Sequence, residues 1–149
     1  MNISIGCGRK KEEGFVGLDS HDFGWNKVWD ANKDSIPFPD SSAEFIRCHN
    51  TLEHIERKYW PHLFNECWRV LKPNGILEII TPDCEASIGL AMQDPTHVAF
   101  VTKGTFTQYL TGARPRNADY GFKHWIVIQC RNYDEVEPRD IFCQMRPNK

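Results

Sequence analysis

The sequence predicts an α/β fold: a mostly parallel seven-stranded sheet, a C-terminal antiparallel hairpin and reduced helix content. Three observations carry this expectation. Short apolar runs alternate with turn signals along the whole chain. Only one stretch has strong helical periodicity. Several of the runs are joined by connections too short to hold a full helix.

The first run, Ile3 to Ile5, is broken by Gly6 and Gly8. Phe15 to Leu18 is closed by Asp19, and Val28-Trp29 by Asp30. Ile36-Pro37-Phe38-Pro39-Asp40 holds two prolines too close for regular structure. Ala43 to Cys48 is a fourth strand. Trp60, Leu63, Phe64, Cys67, Trp68 and Leu71 then recur at helical spacing, the broad apolar stripe of a helix packed on a sheet. Thr51 is a candidate N-cap, and Pro61 marks where the regular helix begins. Lys72-Pro73-Asn74-Gly75 has the chemistry of a turn. Ile76 to Thr81 is apolar on both parities except at Glu78, as in a strand covered on both faces. Weaker helical patterns run over Glu85–Met92 and Thr105–Leu110. Trp125–Cys130 and Ile141–Met145 form the hairpin, across a polar connection with Asp134, Glu135, Glu137 and Pro138. With no repeat, linker or low-complexity tract, residues 1–149 read as one domain.

Composition narrows the function. The formal net charge of -2 does not suit nucleic acid or an anionic membrane surface as the main partner. No apolar stretch is long enough to span a bilayer, and Met1 leads straight into a strand rather than a signal peptide. The six cysteines include no C-x-x-C pair, which suggests free thiols in a reducing compartment and a cytoplasmic protein. The six histidines lack zinc-ligand spacing, so no metal site is expected.

The opening stretch, NISIGCGRKKEEGFVGLDS, carries the chemistry. It has the strand and Gly-x-Gly turn of a nucleotide-binding crossover, and a second strand ending in an acid that suits ribose hydroxyls. The helix that would seat a pyrophosphate is missing: Lys11 takes the third glycine position, and only Arg9 to Gly14 separate Gly8 from Phe15. A cofactor with an adenosine and no phosphate fits this pattern, and S-adenosylmethionine is such a molecule.

Four stretches together resemble the class I S-adenosylmethionine-dependent methyltransferases, close to the type 11 group, in a short form lacking the helix after the glycine motif. They are Ile3-Ser4-Ile5-Gly6-Cys7-Gly8 with Val16-Gly17-Leu18-Asp19, then Ile36 to Ile46, then His49 to Ile55, then Arg69 to Leu77. Asp94-Pro95-Thr96-His97 is similar to a subgroup of short methyltransferases. The resemblance implies a Rossmann-like fold and places Gly6, Cys7 and Gly8 along the methionine and sulfonium end. It gives Asp19 the ribose hydroxyls and Asp30 and Ala31 the adenine edge, with Asp34 as a rival to Asp30. His49 and Asn50 would pass the methionine tail mostly through backbone atoms. Glu53 and His54 match the family's "LEH", where capping is the structural role for Glu53. His97 is the candidate general base, with Asp83 second. Phe106, Tyr109 and Trp125 are aromatic candidates for the acceptor wall or the core.

The resemblance has departures. Glu44 stands where the family usually has Asp, and no lid helices precede the first strand, so an open site is expected, suited to cover by a second copy in a homodimer. A small-molecule acceptor is the expectation. Two rival readings are a non-catalytic partner subunit that keeps the fold and a nicotinamide-dependent oxidoreductase.

Overall fold

The computed structural model describes residues 1–113, 117–133 and 139–149, with backbone alone for residues 117 and 118. The polar connection predicted around Asp134, Glu135, Glu137 and Pro138 lies outside the described residues. Seven strands form one sheet: β1 (Asn2–Ile5), β2 (Phe15–Asp19), β3 (Lys27–Val28), β4 (Ala43–His49), β5 (Leu71–Pro82), β6 (Trp125–Asn132) and β7 (Asp140–Pro147). Their order is β3-β2-β1-β4-β5-β7-β6. All neighbours pair in parallel except β7, which runs antiparallel to both β5 and β6. The expected strands and the single antiparallel strand are all present. The connections at 6–14 and 20–26 contain no helix.

Helix α1 (Trp60–Val70) links β4 to β5. Pro61 sits in its first turn, where a missing N–H costs nothing. Trp60, Leu63, Phe64, Cys67 and Val70 are buried on its inner stripe. They join one core with Ile3, Ile5, Leu18, Ile46, Cys48, Leu77, Ile79, Cys143 and Met145 from the facing side of the sheet. Burying side chains of this size contributes roughly 1.5–3 kcal/mol each. Thr51 does not cap α1. It precedes a 3-10 turn (Leu52–His54) and its hydroxyl donates instead to His49 O at 2.9 Å.

Two stretches distant in sequence hold each other. Arg69 near the end of α1 donates to Ile36 O (2.9 Å), Phe38 O (3.0 Å) and the Asp40 carboxylate (2.7 Å), while Glu66 accepts from Ile36 N–H (2.7 Å). The proline-containing segment is thus tied to α1 by backbone groups that it cannot pair within itself.

Two details depart from the sequence reading. Lys72–Gly75 is no separate turn but an excursion within β5, where pairing jumps from Ala43↔Leu71 to Phe45↔Ile76. Gly75 leaves room there, since a Cβ would lie 2.8 Å from Leu71 Cδ2 and 3.1 Å from Ala43 O, so a larger residue would need both to shift. The predicted helix Glu85–Met92 shortens to α2 (Ile88–Ala91), and Thr105–Leu110 forms a π-type turn.

The sheet is also not apolar on both faces. Register puts Ser4, Gly17, Arg47, Glu78 and Gln144 in one row on the face away from α1. There Glu78 accepts from Gln144 at 2.7 Å and pairs with His49 at 2.9 Å, Gln144 accepts from Gln129 at 2.7 Å, and Arg47 pairs with Glu12. The connections that would lay helices on this face are too short to form them, so a polar ladder occupies it. Trp25 and Cys7 pack over Gly17 on the same side.

Candidate active site

A cavity of about 260 Å³ opens at the C-terminal ends of β1, β2 and β4, the position where open α/β sheets bind ligands. Gly6, Asp19, Asp30, Ala31, Asn50 and His54 line it. Gly6 has φ +62°, and a Cβ there would lie 2.1 Å from Thr51 Oγ1, so both conformation and space demand glycine. Asn50 also takes a left-handed conformation (φ 47°) and is held by donating its N–H to Ile80 O at 2.8 Å.

Asp19 is fixed by the backbone around it. Gly8 N–H donates to Oδ2 at 3.0 Å and His21 N–H to Oδ1 at 3.1 Å. A carboxylate has about four acceptor positions, so lone pairs remain on both oxygens. This set suits a vicinal diol. The buried Trp29 donates its indole N–H to Asp34 O and Ser35 O, fixing the loop that carries Asp30 and Ala31. Asn32 N–H and Lys33 engage the Asp30 carboxylate and hold it below its ordinary range. Asp34, the rival, turns its carboxylate to Asp30 N–H at 2.9 Å and is not among the lining residues.

Three predicted cofactor residues lie outside the lining. Cys7 points its sulfur over Gly17 on the polar face of the sheet, and burial together with Asp19 pushes its thiol up to about 11. Gly8 acts through Asp19 rather than by facing the cavity. His49 follows the period-2 alternation of β4 onto the polar face, where it meets Glu78.

His97 lines neither cavity but packs against His54, which lines the first, with companions that the sequence did not join to it. Val98 and Ala99 N–H both donate to Glu53 O, at 2.8 and 3.0 Å, fastening the 94–99 loop to the 3-10 turn. The rings of His54 and His97 then meet edge to face, 4.8 Å between centroids. Glu53 is no cap. Its carboxylate is buried beside them, accepts from Thr81 Oγ1 at 3.0 Å, and is raised above its ordinary range by that burial. The "LEH" triplet was the available signal; its partner, His97, comes from a distant loop.

Asp83 sits in the scaffold rather than at a cavity. It is fully buried, held by Lys103 Nζ (3.2 Å), Asn132 Nδ2 (2.9 Å) and Glu85 N–H (2.9 Å), and lines neither cavity. Among the aromatics, Phe106 and Trp125 are core. Tyr109 lines a second cavity of about 650 Å³, with Arg57, Trp60, Phe100, Tyr120 and Phe122. The segment from His54 to Arg57 borders both cavities.

Residues 14–79, somewhat under half of the chain, match the model of a methyltransferase domain. That match begins beyond the glycine turn. No curated protein matches the sequence. Many solved structures share the fold. A SAM-dependent methyltransferase from Archaeoglobus fulgidus is 18% identical, with TM-score 0.68, over 97% of this chain and 85% of its own. A 1,6-didemethyltoxoflavin-N1-methyltransferase from Burkholderia thailandensis, with bound 1,6-didemethyltoxoflavin and S-adenosylhomocysteine, is 12% identical, with TM-score 0.70, over 99% of this chain and 71% of its own. An S-adenosylmethionine-dependent methyltransferase from Mesorhizobium loti is 14% identical, with TM-score 0.63, over 97% and 89%. The chain thus shares the fold of the class I S-adenosylmethionine-dependent methyltransferases, and its residues 14–79 are similar to a methyltransferase domain.

Proposed function

We propose that the chain binds S-adenosylmethionine in the cavity at the strand ends and transfers its methyl group to a small-molecule acceptor held in the larger aromatic cavity. The observation that carries this reading is the meeting of Gly6 and Asp19 in one cavity, the carboxylate already oriented by Gly8 N–H. When bound, the cofactor supplies a methyl group on a sulfonium, electrophilic enough to need no activation by the protein. Asp19 takes the ribose hydroxyls, with the bidentate geometry that a carboxylate offers. Asp30 and Ala31 take the adenine edge. Gly6 and Asn50 border the methionine end, where the absent Cβ leaves the backbone open to close approach.

The chain's remaining tasks are to position the nucleophile, exclude water and receive a proton. His97 Nδ1 lies 2.7 Å from Ala91 O, a carbonyl that can only accept, so Nδ1 carries the proton and Nε2 is free to take one from the acceptor. The larger cavity, with Trp60, Phe100, Tyr109, Tyr120 and Phe122 around Arg57, suits a planar apolar molecule bearing one polar substituent. No described helix is long and apolar enough to cross a membrane, and all six thiols are free, which supports a cytoplasmic setting.

The test is release of S-adenosylhomocysteine across a panel of planar phenols, amines and nitrogen heterocycles. Turnover with at least one of them, reduced in His97→Ala with cofactor affinity unchanged, is expected. Cofactor binding without turnover on any would favour the non-catalytic partner-subunit reading.

A further inference from the structure

Glu53, His54 and His97 offer one carboxylate oxygen and two imidazole nitrogens, all within 4.8 Å of one another. The hydrogen bonds that hold them run outward to other residues. Glu53 accepts from Thr81. His97 gives its Nδ1 proton to Ala91 O at 2.7 Å. His54 Nδ1 meets Thr96 Oγ1 at 3.0 Å and Thr96 O at 3.3 Å. The Thr96 hydroxyl proton is spent on Asp94 Oδ1 at 2.6 Å, so Thr96 Oγ1 accepts from His54. Both rings therefore hold their proton on Nδ1 and keep the lone pair on Nε2. This arrangement, with each imidazole's second nitrogen donating to a carbonyl or to a hydroxyl backed by a carboxylate, is the one that orients histidines as metal ligands.

We propose that Glu53, His54 and His97 form a two-histidine, one-carboxylate site for a divalent first-row transition ion, with Zn²⁺ the ion best matched to the donors. Two imidazoles with one carboxylate select such ions over Mg²⁺ or Ca²⁺, which prefer all-oxygen sets. Bonds of about 2.0–2.2 Å require the donors to close by roughly 1 Å each. His54 can make that movement, since it is exposed on a short 3-10 turn. Asp94 Oδ2, 3.8 Å from His97 Nε2, stands at the edge of the site. Sequence spacing conceals the set, because two donors are adjacent and the third comes from a loop fastened to them by Glu53 O.

The site's existence does not depend on the methyl-transfer reading; its consequence does. An ion on Nε2 would replace proton acceptance by His97 and would hold and ionise an oxygen acceptor at the border of the cofactor cavity.

The test is titration of the chelator-treated protein with Co²⁺ and then Zn²⁺, without any cofactor. One equivalent of Co²⁺ should bind with visible d–d bands and no thiolate charge-transfer band, and Zn²⁺ should displace it. His54→Ala and His97→Ala should each weaken binding at least tenfold while keeping the metal-free melting profile, and Glu53→Gln should weaken it as well. Absence of stoichiometric binding, a thiolate band, or affinity unmoved by both histidine variants would overturn the proposal. Because no S-adenosylmethionine is present, its failure is distinct from failure of the cofactor assignment.

Discussion

The backbone N–H of Gly8 donates to the Asp19 carboxylate at 3.0 Å, joining the turn after β1 directly to the acid at the end of β2. In a dinucleotide-binding unit a helix stands between these two features and its N-terminus seats a phosphate. Here residues 6–14 contain no helix, and the turn's own amide orients the acid. A cofactor without phosphate loses nothing by this economy. Its cost is the open polar face of the sheet, where no crossover helix lies.

Gly6→Ala tests the turn. A Cβ at this position meets Thr51 at 2.1 Å and demands an unfavourable positive φ. The variant should lose about 1–3 kcal/mol of stability in urea denaturation, from strain and overpacking together. It should also bind S-adenosylmethionine weakly. Unchanged stability would show that Thr51 moves aside freely.

Asp83→Ala separates scaffold from site. Removing this buried carboxylate takes an acceptor from Lys103 and from Asn132, which keep their own 2.9 Å bond, so about 1–3 kcal/mol should be lost. Cofactor affinity of the folded fraction should not change. A selective loss of turnover at unchanged stability would restore Asp83 as a catalytic group.

His49 predicts a pH dependence. Burial lowers its pKa below the ordinary 6.5, and the opposing hydrogen bond to Glu78 only partly offsets this. The neutral ring is therefore favoured in the folded state, and the unfolded chain takes up the proton first. Its contribution is fully present above pH 6.5 and is lost as pH falls through the lower folded value. Replacement by Gln should flatten the wild-type decline in stability between about pH 7 and 5. Direct titration of the ring by NMR should give a value below 6.5, and one above it would refute the assignment.

Cys7, with its thiol raised to about 11, should resist alkylation at neutral pH although it is only half-buried. Mass spectrometry after iodoacetamide treatment of the folded protein should find Cys7 largely unmodified. Rapid labelling there would mean that the thiol is not shielded by Asp19 and the packing over Gly17.

Much of the fold was legible because its signals are local. Turn residues end most strands, the stripe from Trp60 to Leu71 repeats at helical period although Leu71 itself begins β5, and Pro61 falls where a helix starts. The polar face was not legible, because which side of β4 carries Arg47 and His49 depends on register with β1 and β5. The glycine turn and Asp19 could be read together, since one short connection joins them. Glu53 and His97 could not: their meeting depends on backbone bonds from Val98 and Ala99 to Glu53 O. Asp83 misled for a related reason. An acid after a strand looks the same in sequence whether it faces a cavity or, as here, Lys103 and Asn132.

The most direct test of the central claim is calorimetric titration of the protein with S-adenosylmethionine, S-adenosylhomocysteine and NADH, repeated with Asp19→Ala. Micromolar binding of both adenosyl ligands, no binding of NADH, and at least a hundredfold loss in the folded variant, worth about 2.7 kcal/mol, are predicted. Binding of the adenosyl ligands that survives in Asp19→Ala, or no binding by the wild-type chain, would contradict the account.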